Sequence, residues 1–141
     1  MCLKEVIKTN SFDLKIITLD GIEFDGKAVS VVARTTVGDI CILHNHTNYV
    51  GAIELGKVKV KTETETRIGA CAGGFLSVTD NKVRIVATTF EFADEIDIER
   101  AKRAKEKAEE RMNQKKSDAE YKMAEFKLKR ALLRLDVSSG K

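Results

Sequence analysis

The first ninety residues alternate between apolar and polar positions in several short runs. Phe12, Leu14 and Ile16 alternate with charged residues, and residues 57–61 read Lys-Val-Lys-Val-Lys. A period of two residues is typical of a strand with one buried face. These two runs therefore predict two strands, each with one face in a core.

A second pair of runs flanks a turn signal. Phe75, Leu76 and Val78 follow a Gly73-Gly74 pair, and Asp80-Asn81-Lys82 leads into a run around Ile85. Asn and Asp tolerate the backbone of tight turns, so this segment predicts a hairpin. Residues 27–36 carry valines on both faces, which we interpret as a strand covered on both sides. Closely spaced strands and turns favour an antiparallel β-sandwich or flattened barrel.

The period changes at about Asp94. Asp94 or Asp97 is placed to cap a helix, and an apolar stripe at spacings of three and four follows: Ala101, Ala104, Ala108, Met112. The polar residues 114–117 interrupt it. A second stripe then begins at about Asp118, and its apolar members are Ala119, Met123, Phe126, Leu128, Ala131, Leu132 and Leu135. The sequence therefore predicts an antiparallel two-helix hairpin over residues 93–141, after a β-domain over residues 1–92.

Alanine makes most of the first stripe. It has a high helix propensity but little surface to bury, so the contact between the two helices is close and weak. A helix held by so little contact leaves its partner at a cost of a few kcal/mol. The pattern alone therefore indicates a mobile hairpin.

Charge divides the chain at the same place. Residues 1–94 carry 11 basic and 12 acidic side chains, and residues 95–141 carry 14 basic and 10 acidic ones. The basic excess thus belongs to the predicted hairpin.

The three cysteines, Cys2, Cys41 and Cys71, have no paired spacing, and we read them as reduced thiols. Neither a secretory signal nor an apolar run of membrane-spanning length is expected.

The segment from Gly38 to His46 holds two histidines, a cysteine and an aspartate. These are not a complete ligand set at a recognised zinc spacing, so we interpret the segment as a strand that runs into a polar loop. Gly69 to Gly74 lacks the lysine and helix of a phosphate-binding loop. Neither histidine has a recognisable catalytic context, and we therefore predict that the chain is not an enzyme and holds no metal.

The arginines of the hairpin are the more informative residues. An antiparallel pair brings the start of the first helix beside the end of the second, so Arg100 is expected near Arg130 and Arg134. Converging guanidinium groups suit a triphosphate, because each donates planar, bidentate hydrogen bonds. An ordinary solvated charged face remains the alternative interpretation.

Together, three segments resemble the epsilon-subunit family of bacterial F-type ATP synthases. Residues 28–46 (AVSVVARTTVGDICILHNH), with Gly56 ten residues later, resemble the central segment of that family, and residues 73–78 (GGFLSV) resemble its next strand. Residues 96–101 (IDIERA) are similar to its Ile/Leu-Asp-x-x-Arg-Ala nucleotide motif. The resemblance covers nearly the whole chain, and a plastid homologue is a narrower alternative.

That resemblance implies a regulatory ATP site. Matching the family motif position by position assigns ATP to Glu91, Ile96, Asp97, Arg100, Ala101, Arg130 and Arg134. Two positions depart from the pattern: Lys107 keeps the charge of an arginine but not its planar fork, and Met123 replaces an arginine of some relatives.

The resemblance also implies partners and a location. It implies a β-sandwich that binds the gamma subunit and the membrane c-ring in the central stalk, with the loop from Gly38 to His46 near the ring. The hairpin, folded down and stabilised by ATP, permits hydrolysis, and extended into the alpha/beta catalytic hexamer it inhibits. The implied location is peripheral, at the cytoplasmic face of the bacterial plasma membrane.

Two other classes of function stay open on the residues alone. A basic helical hairpin is compatible with a nucleic-acid-binding module, although its only aromatics are Tyr121 and Phe126 and it carries many acids. A small hydrolase that uses His44 or His46 is the other alternative.

Overall fold

The computed structural model describes residues 10–114 and 117–140, and it divides into two compact units, Met1–Glu91 and Phe92–Lys141. The interpretations of Cys2 and of the Lys115-Lys116 pair fall outside the described residues.

Eight strands make up the first unit and the junction that follows it. They are β1 (Phe12–Thr18), β2 (Gly21–Ala28), β3 (Ser30–Thr35), β4 (Gly38–Ile42), β5 (Tyr49–Lys61), β6 (Thr66–Thr79), β7 (Lys82–Ala87) and β8 (Phe90–Phe92). The order across the sheet is β2-β1-β7-β6-β5-β3-β4, and β8 pairs with β6. All neighbours along that order are antiparallel except β1 and β7, which run parallel. Over the described residues β2 and β4 stand at the two ends of this order, so the barrel is not closed.

The core of this unit lies along the apolar faces of the alternating strands. Phe12, Leu14 and Ile16 of β1 are buried, as are Val58 and Val60 of β5, while the intervening lysines and aspartate face outward. Because side chains alternate along a strand, a register shift of one residue would move these apolar side chains from the core to the solvent-facing side. Both predicted strands are therefore confirmed.

The predicted hairpin turn between β6 and β7 is also confirmed. Asp80 and Asn81 have φ angles of 49° and 63°, and Thr79 pairs with Lys82 across the turn. Two central residues with positive φ make the type I′ turn whose twist matches that of paired strands.

The prediction for residues 27–36 needs correction. The chain turns at Val29 between β2 and β3, and in β3 Val31 and Ala33 are buried while Arg34 is exposed and Val32 is half-buried. The segment is thus an ordinary strand with one buried face. Valines fell on both faces in the pattern because Val31 and Val32 are neighbours in β3 and point to opposite sides of it, and only the Val31 side is buried.

The second unit begins with a 3₁₀ turn, Ala93–Glu95, and continues as α1 (Ile98–Asn113) and α2 (Asp118–Ser139). Asp97 caps α1, since its side chain accepts a hydrogen bond of 3.1 Å from the backbone N–H of Arg100. Ser117 caps α2 in the same way, by accepting from the N–H of Glu120 at 3.2 Å. Of the two candidate caps predicted at the first helix, Asp97 is the one used, and Asp94 lies in the 3₁₀ turn.

The two helices pack against each other as a hairpin. On α1 the predicted stripe is confirmed, with Ala101 and Ala108 buried and Ala104 and Met112 half-buried. On α2 the predicted stripe is partly wrong. The buried residues are Ala124, Ala131 and Val137, whereas 59% of Met123, 44% of Phe126 and 43% of Leu132 is exposed.

The close approach of the two helices explains which residues of α2 are buried. Two helices that present alanines approach closely, so small side chains take the central positions and larger ones are displaced to the flanks. Ala124 and Ala131 lie seven residues apart, which is two turns of helix, and therefore fall on the same face.

The predicted fold class is confirmed: a mainly antiparallel β-sandwich is followed by a two-helix hairpin. Among the described residues, neither helix has the length and apolar character needed to cross a membrane.

Candidate functional site

A groove of about 310 Å³ runs between α1 and α2 on one side of the hairpin. Its floor is alanine and its walls are cationic. The residues that line it, which we call the cationic groove, are Arg100, Ala104, Lys107, Ala108, Arg111, Lys127, Arg130, Ala131 and Arg134.

Helical spacing accounts for this set. On α1 the cations Arg100, Lys107 and Arg111 are separated by seven and four residues, so they stand above one another on one face. On α2 the cations Arg130 and Arg134 are four residues apart. The small side chains between the two rows let the helices approach, and the rows consequently face a common space.

Carboxylates on the hairpin pair with lysines outside the groove. The pairs are Lys102 with Glu99 at 3.7 Å, Lys105 with Glu109 at 3.9 Å, and Lys129 with Glu125 at 3.4 Å. Over residues 10–114 and 117–140, five groove cations form no ion pair within 4 Å: Arg100, Lys107, Arg111, Lys127 and Arg130. The described lining of the groove likewise includes no carboxylate. At these five positions the groove therefore carries positive charge that no described carboxylate pairs with.

The structure brings together three of the residues assigned to ATP, because Arg100, Arg130 and Arg134 all line the cationic groove. This is the convergence expected from an antiparallel hairpin. Arg130 and Arg134 are half-buried, and Arg100 is exposed. A partly buried guanidinium is held in place by its neighbours and loses less freedom when it binds an anion.

The other assigned residues lie at or before the start of α1. Asp97 uses one carboxylate oxygen as the helix cap, Ala101 is fully buried, and 8% of Ile96 is exposed. Glu91 belongs to the other unit, where it is half-buried in β8. These four residues are not among the described residues that line the groove.

The two departures from the family pattern take different positions. Lys107 lines the cationic groove, as the resemblance implies for this position. Met123 lies instead in a second groove of about 500 Å³ toward the turn of the hairpin. Sequence reasoning missed Lys127, which lines both grooves. Its spacing of three and seven residues from Arg130 and Arg134 was the available signal, because that spacing places all three on one face.

Chemically, the cationic groove suits a flexible polyanion. Guanidinium groups donate paired hydrogen bonds to phosphate oxygens, and lysine adds a point charge without fixed geometry. The described lining consists of arginine, lysine and alanine side chains, and such a set suits the binding of an anion.

The histidines of the loop between β4 and β5 have structural contacts. His44 Nδ1 lies 3.0 Å from the Ser11 carbonyl oxygen and 3.2 Å from Asn81 Nδ2, and His46 Nδ1 lies 2.7 Å from the Thr47 carbonyl oxygen. Asn81 Oδ1 also accepts from the N–H of Asn45 at 2.8 Å. These contacts tie the loop to the β6–β7 turn, in agreement with a strand that runs into a polar loop. Over the described residues no three metal-ligating side chains cluster.

The two cysteines that the structure describes are not paired. Cys41 is exposed, while Cys71 is buried, and burial raises the pKa of the Cys71 thiol above its ordinary value. A neutral buried thiol is a poor nucleophile, so Cys71 is a core residue rather than a reactive one.

Comparison with known proteins gives consistent matches to both units. The model of the ATP synthase delta/epsilon chain β-sandwich domain matches residues 11–93, and that of the delta/epsilon chain long α-helix domain matches residues 94–139. The ATP synthase epsilon chain of Bacillus velezensis is 39% identical over 127 residues, which cover 90% of this chain and 96% of that one. The ATP synthase epsilon chain of Ruminococcus albus is 35% identical over 131 residues, covering 92% and 98%.

Solved structures show the same fold. A chain of the Euglena gracilis mitochondrial ATP synthase superposes with a TM-score of 0.72 at 24% identity, covering 84% of this chain and 76% of that one. A chain of the Tetrahymena thermophila mitochondrial ATP synthase central stalk and c-ring superposes with a TM-score of 0.58 at 16% identity, covering 90% and 96%. The identity to the bacterial chains extends over nearly the whole sequence, and the resemblance seen in the sequence is thereby confirmed: the chain belongs to the ATP synthase delta/epsilon chain family.

Proposed function

We propose that this chain is the epsilon subunit of the central stalk of an F-type ATP synthase, and that its hairpin regulates ATP hydrolysis in response to ATP. Members of this family are non-catalytic subunits, as predicted from the absence of a recognisable active site. In this role the β-sandwich contacts the gamma subunit and the c-ring. The hairpin contacts the alpha/beta catalytic hexamer.

The proposed location follows from these partners. A central-stalk subunit is held at the membrane by the ring and the gamma subunit, so it needs no membrane-spanning segment of its own. In a bacterium this places the chain at the cytoplasmic face of the plasma membrane, where it is peripheral.

Regulation rests on two arrangements of the hairpin. In the closed arrangement, the helices pack through Ala108, Ala124 and Ala131, as in the structure described above. In the open arrangement, the helices separate and extend toward the hexamer, where they block rotation. With 16 and 22 residues, α1 and α2 are about 24 and 33 Å long, so opening greatly increases the reach of the arm.

The cationic groove is the observation that carries the ATP proposal. It exists only where both helices meet, because α1 supplies Arg100 and α2 supplies Arg130 and Arg134. A triphosphate bound there contacts both helices at once. ATP therefore binds the closed hairpin in preference to the open one.

Linkage gives the size of the effect. A ligand shifts such an equilibrium only by its differential affinity for the two states. At a free ATP concentration 100 times the dissociation constant, the closed state gains about 2.7 kcal/mol. Each buried alanine methyl contributes only about 0.8 kcal/mol, so this gain matches the contribution of about three of them. Abundant ATP thus keeps the hairpin closed, and ATP depletion releases it to inhibit hydrolysis.

Calorimetric titration of the full chain with ATP tests the binding half. We expect saturable binding that is lost in Arg100→Ala and kept in Arg103→Ala, since Arg103 is exposed on the same helix but is not among the groove lining. No binding at millimolar ATP, or equal loss in both variants, would contradict a site in this groove.

ATP hydrolysis by the reassembled synthase tests the inhibitory half. We expect a chain that ends at residue 93 to give higher hydrolysis at low ATP than the full chain. Equal rates with the two chains would show that the hairpin does not inhibit, and would leave the central-stalk role standing.

A further inference from the structure

The cationic groove is longer than a triphosphate requires. Arg100 and Arg111 are eleven residues apart on α1, which is about 16 Å along the helix axis, or three turns. Three linked phosphates are shorter than two turns, about 11 Å. A nucleotide whose phosphates lie between Arg100 and Lys107 therefore leaves Arg111 beyond its last phosphate, while Lys127 lines both this stretch and the second groove.

These two cations also line the second groove. Its volume is about 500 Å³, and it continues from Arg111 and Lys127 toward the turn of the hairpin. Because the two grooves share these residues, they adjoin along the hairpin, and we call the pair of adjoining grooves the channel.

The chemistry of the channel changes along its length. The part near the turn has an apolar surface of Met123, Ala119 and Ala124, and 59% of Met123 is exposed. Gln114 and Glu120 add an amide and a carboxylate. Apolar surface with a few polar groups suits a nucleobase and its ribose, whose amino and hydroxyl groups donate to a carboxylate.

We propose that this channel binds a dinucleoside polyphosphate, in which a chain of four or more phosphates joins two nucleosides. This inference rests on the proposed function, because the first nucleoside and its phosphates occupy the ATP site. The additional phosphate lies between Arg111 and Lys127, and the second nucleoside covers Met123. Since such a ligand contacts the hairpin from the start of α1 almost to its turn, it holds the closed state more firmly than ATP.

The arrangement of charge favours this ligand over a simple longer phosphate chain. Among the described lining residues, cations dominate from Arg100 to Arg111, and toward the turn the lining becomes apolar and includes a carboxylate, Glu120. A bare polyphosphate would meet that carboxylate with repulsion, whereas a nucleoside has donors to offer it. The order of the lining thus matches an anion that ends in a neutral, partly apolar group.

Calorimetric titration of the full chain with bis(5′-adenosyl) tetraphosphate, beside ATP and adenosine 5′-tetraphosphate, tests the proposal. We expect the bis-adenosyl ligand to bind most tightly. Met123→Ala should weaken it about tenfold, as expected for loss of a buried thioether contact, and leave ATP within about twofold. Phe126→Ala is the matched control, because Phe126 is exposed on the same helix but lines neither groove, and it should change no affinity.

The outcomes separate this inference from the proposed function. If ATP binds and is lost in Arg100→Ala, but the bis-adenosyl ligand is no tighter than ATP or is insensitive to Met123→Ala, the second nucleoside site is wrong and the ATP site stands. If adenosine 5′-tetraphosphate binds as tightly as the bis-adenosyl ligand, the second nucleoside contributes nothing and the proposal also fails. If none of the three ligands binds, both proposals fall.

Discussion

Asp97 is assigned two different roles, an ATP contact by the family motif and a helix cap by the structure. The resemblance assigns it to ATP, and the structure shows that its side chain caps α1 through a 3.1 Å hydrogen bond from the N–H of Arg100. A cap and a ligand contact are compatible, because a carboxylate has two oxygens and the cap uses one. Substitutions that remove the two roles separately can therefore assign each.

The expected magnitude comes from the cap. Asp97→Ala leaves one N–H of the first turn without its acceptor, which costs about 1 kcal/mol, within a range of about 0.5–2. Asp97→Ser keeps a side-chain oxygen at the cap and should cost only a few tenths, mainly the lost attraction between the carboxylate and the helix dipole. A loss of about 1 kcal/mol corresponds to about fivefold faster hydrogen exchange of the amides in α1, under conditions in which the helix recloses faster than its open amides exchange.

Two measurements on the full chain complete the test: hydrogen exchange of residues 98–113 followed by mass spectrometry, and calorimetric titration with ATP. We expect Asp97→Ala to lose protection and Asp97→Ser to keep it. If Asp97 also contacts the nucleotide, both variants bind ATP more weakly than the original chain.

The capping role and the ATP contact of Asp97 can be refuted separately. Unchanged protection in Asp97→Ala would refute the role of the cap in holding α1. Recovery of full ATP affinity in Asp97→Ser would show that Asp97 acts on ATP only through the helix start, and would remove it from the binding site.

Three further predictions follow from local geometry. Gly74→Ala should cost more than about 4 kcal/mol in urea unfolding, because φ is +138° and an added Cβ would overlap the backbone of β7. Gly21→Ala, at φ +130° with open space around it, should cost only about 1–3 kcal/mol, and equal losses would contradict the overlap. Lys107→Arg should tighten ATP binding by about 1 kcal/mol, roughly fivefold in a titration, because the planar fork is restored; unchanged affinity would place the triphosphate elsewhere. The Lys27 ammonium, 2.7 Å from Asp13, holds the pKa of that carboxyl below its usual 3.8, so the pair adds stability at neutral pH that is lost as pH falls through the lowered pKa. In an NMR titration Lys27→Ala should raise the pKa of Asp13 toward its usual value, and an unmoved pKa would contradict the assignment.

The local parts of the β-sandwich were predictable from the sequence, whereas its assembly was not. The alternation at Phe12, Leu14 and Ile16 and the Asp80-Asn81 turn involve neighbouring residues, so pattern alone predicts them. The parallel pairing of β1 with β7 joins segments about seventy residues apart. Nothing in a single strand specifies a partner at that distance, because many pairings bury the same faces.

The helical hairpin shows a different limit. Its existence, its cap and the convergence of Arg100 with Arg130 and Arg134 follow from period, capping chemistry and antiparallel direction. The buried face of α2 could not be predicted in this way. Large apolar residues are expected to be buried, whereas Met123 is exposed. The close approach of two alanine-bearing helices determines that face, and it depends on both sequences together.

The same close approach gives a physical basis for the nucleotide response that we propose for this weakly packed hairpin. Ala108 and Ala131 bring the two rows of cations to one groove, and they contribute little apolar surface in doing so. Two like charges about 8 Å apart repel by about 0.5 kcal/mol even at the dielectric constant of water, so the five groove cations that form no ion pair oppose closure. A bound polyphosphate removes that repulsion and adds contacts to both helices. On the proposed function, the small packing area that favours closure and the charge repulsion that opposes it make the closed hairpin sensitive to a bound polyphosphate, and larger core residues would reduce that sensitivity.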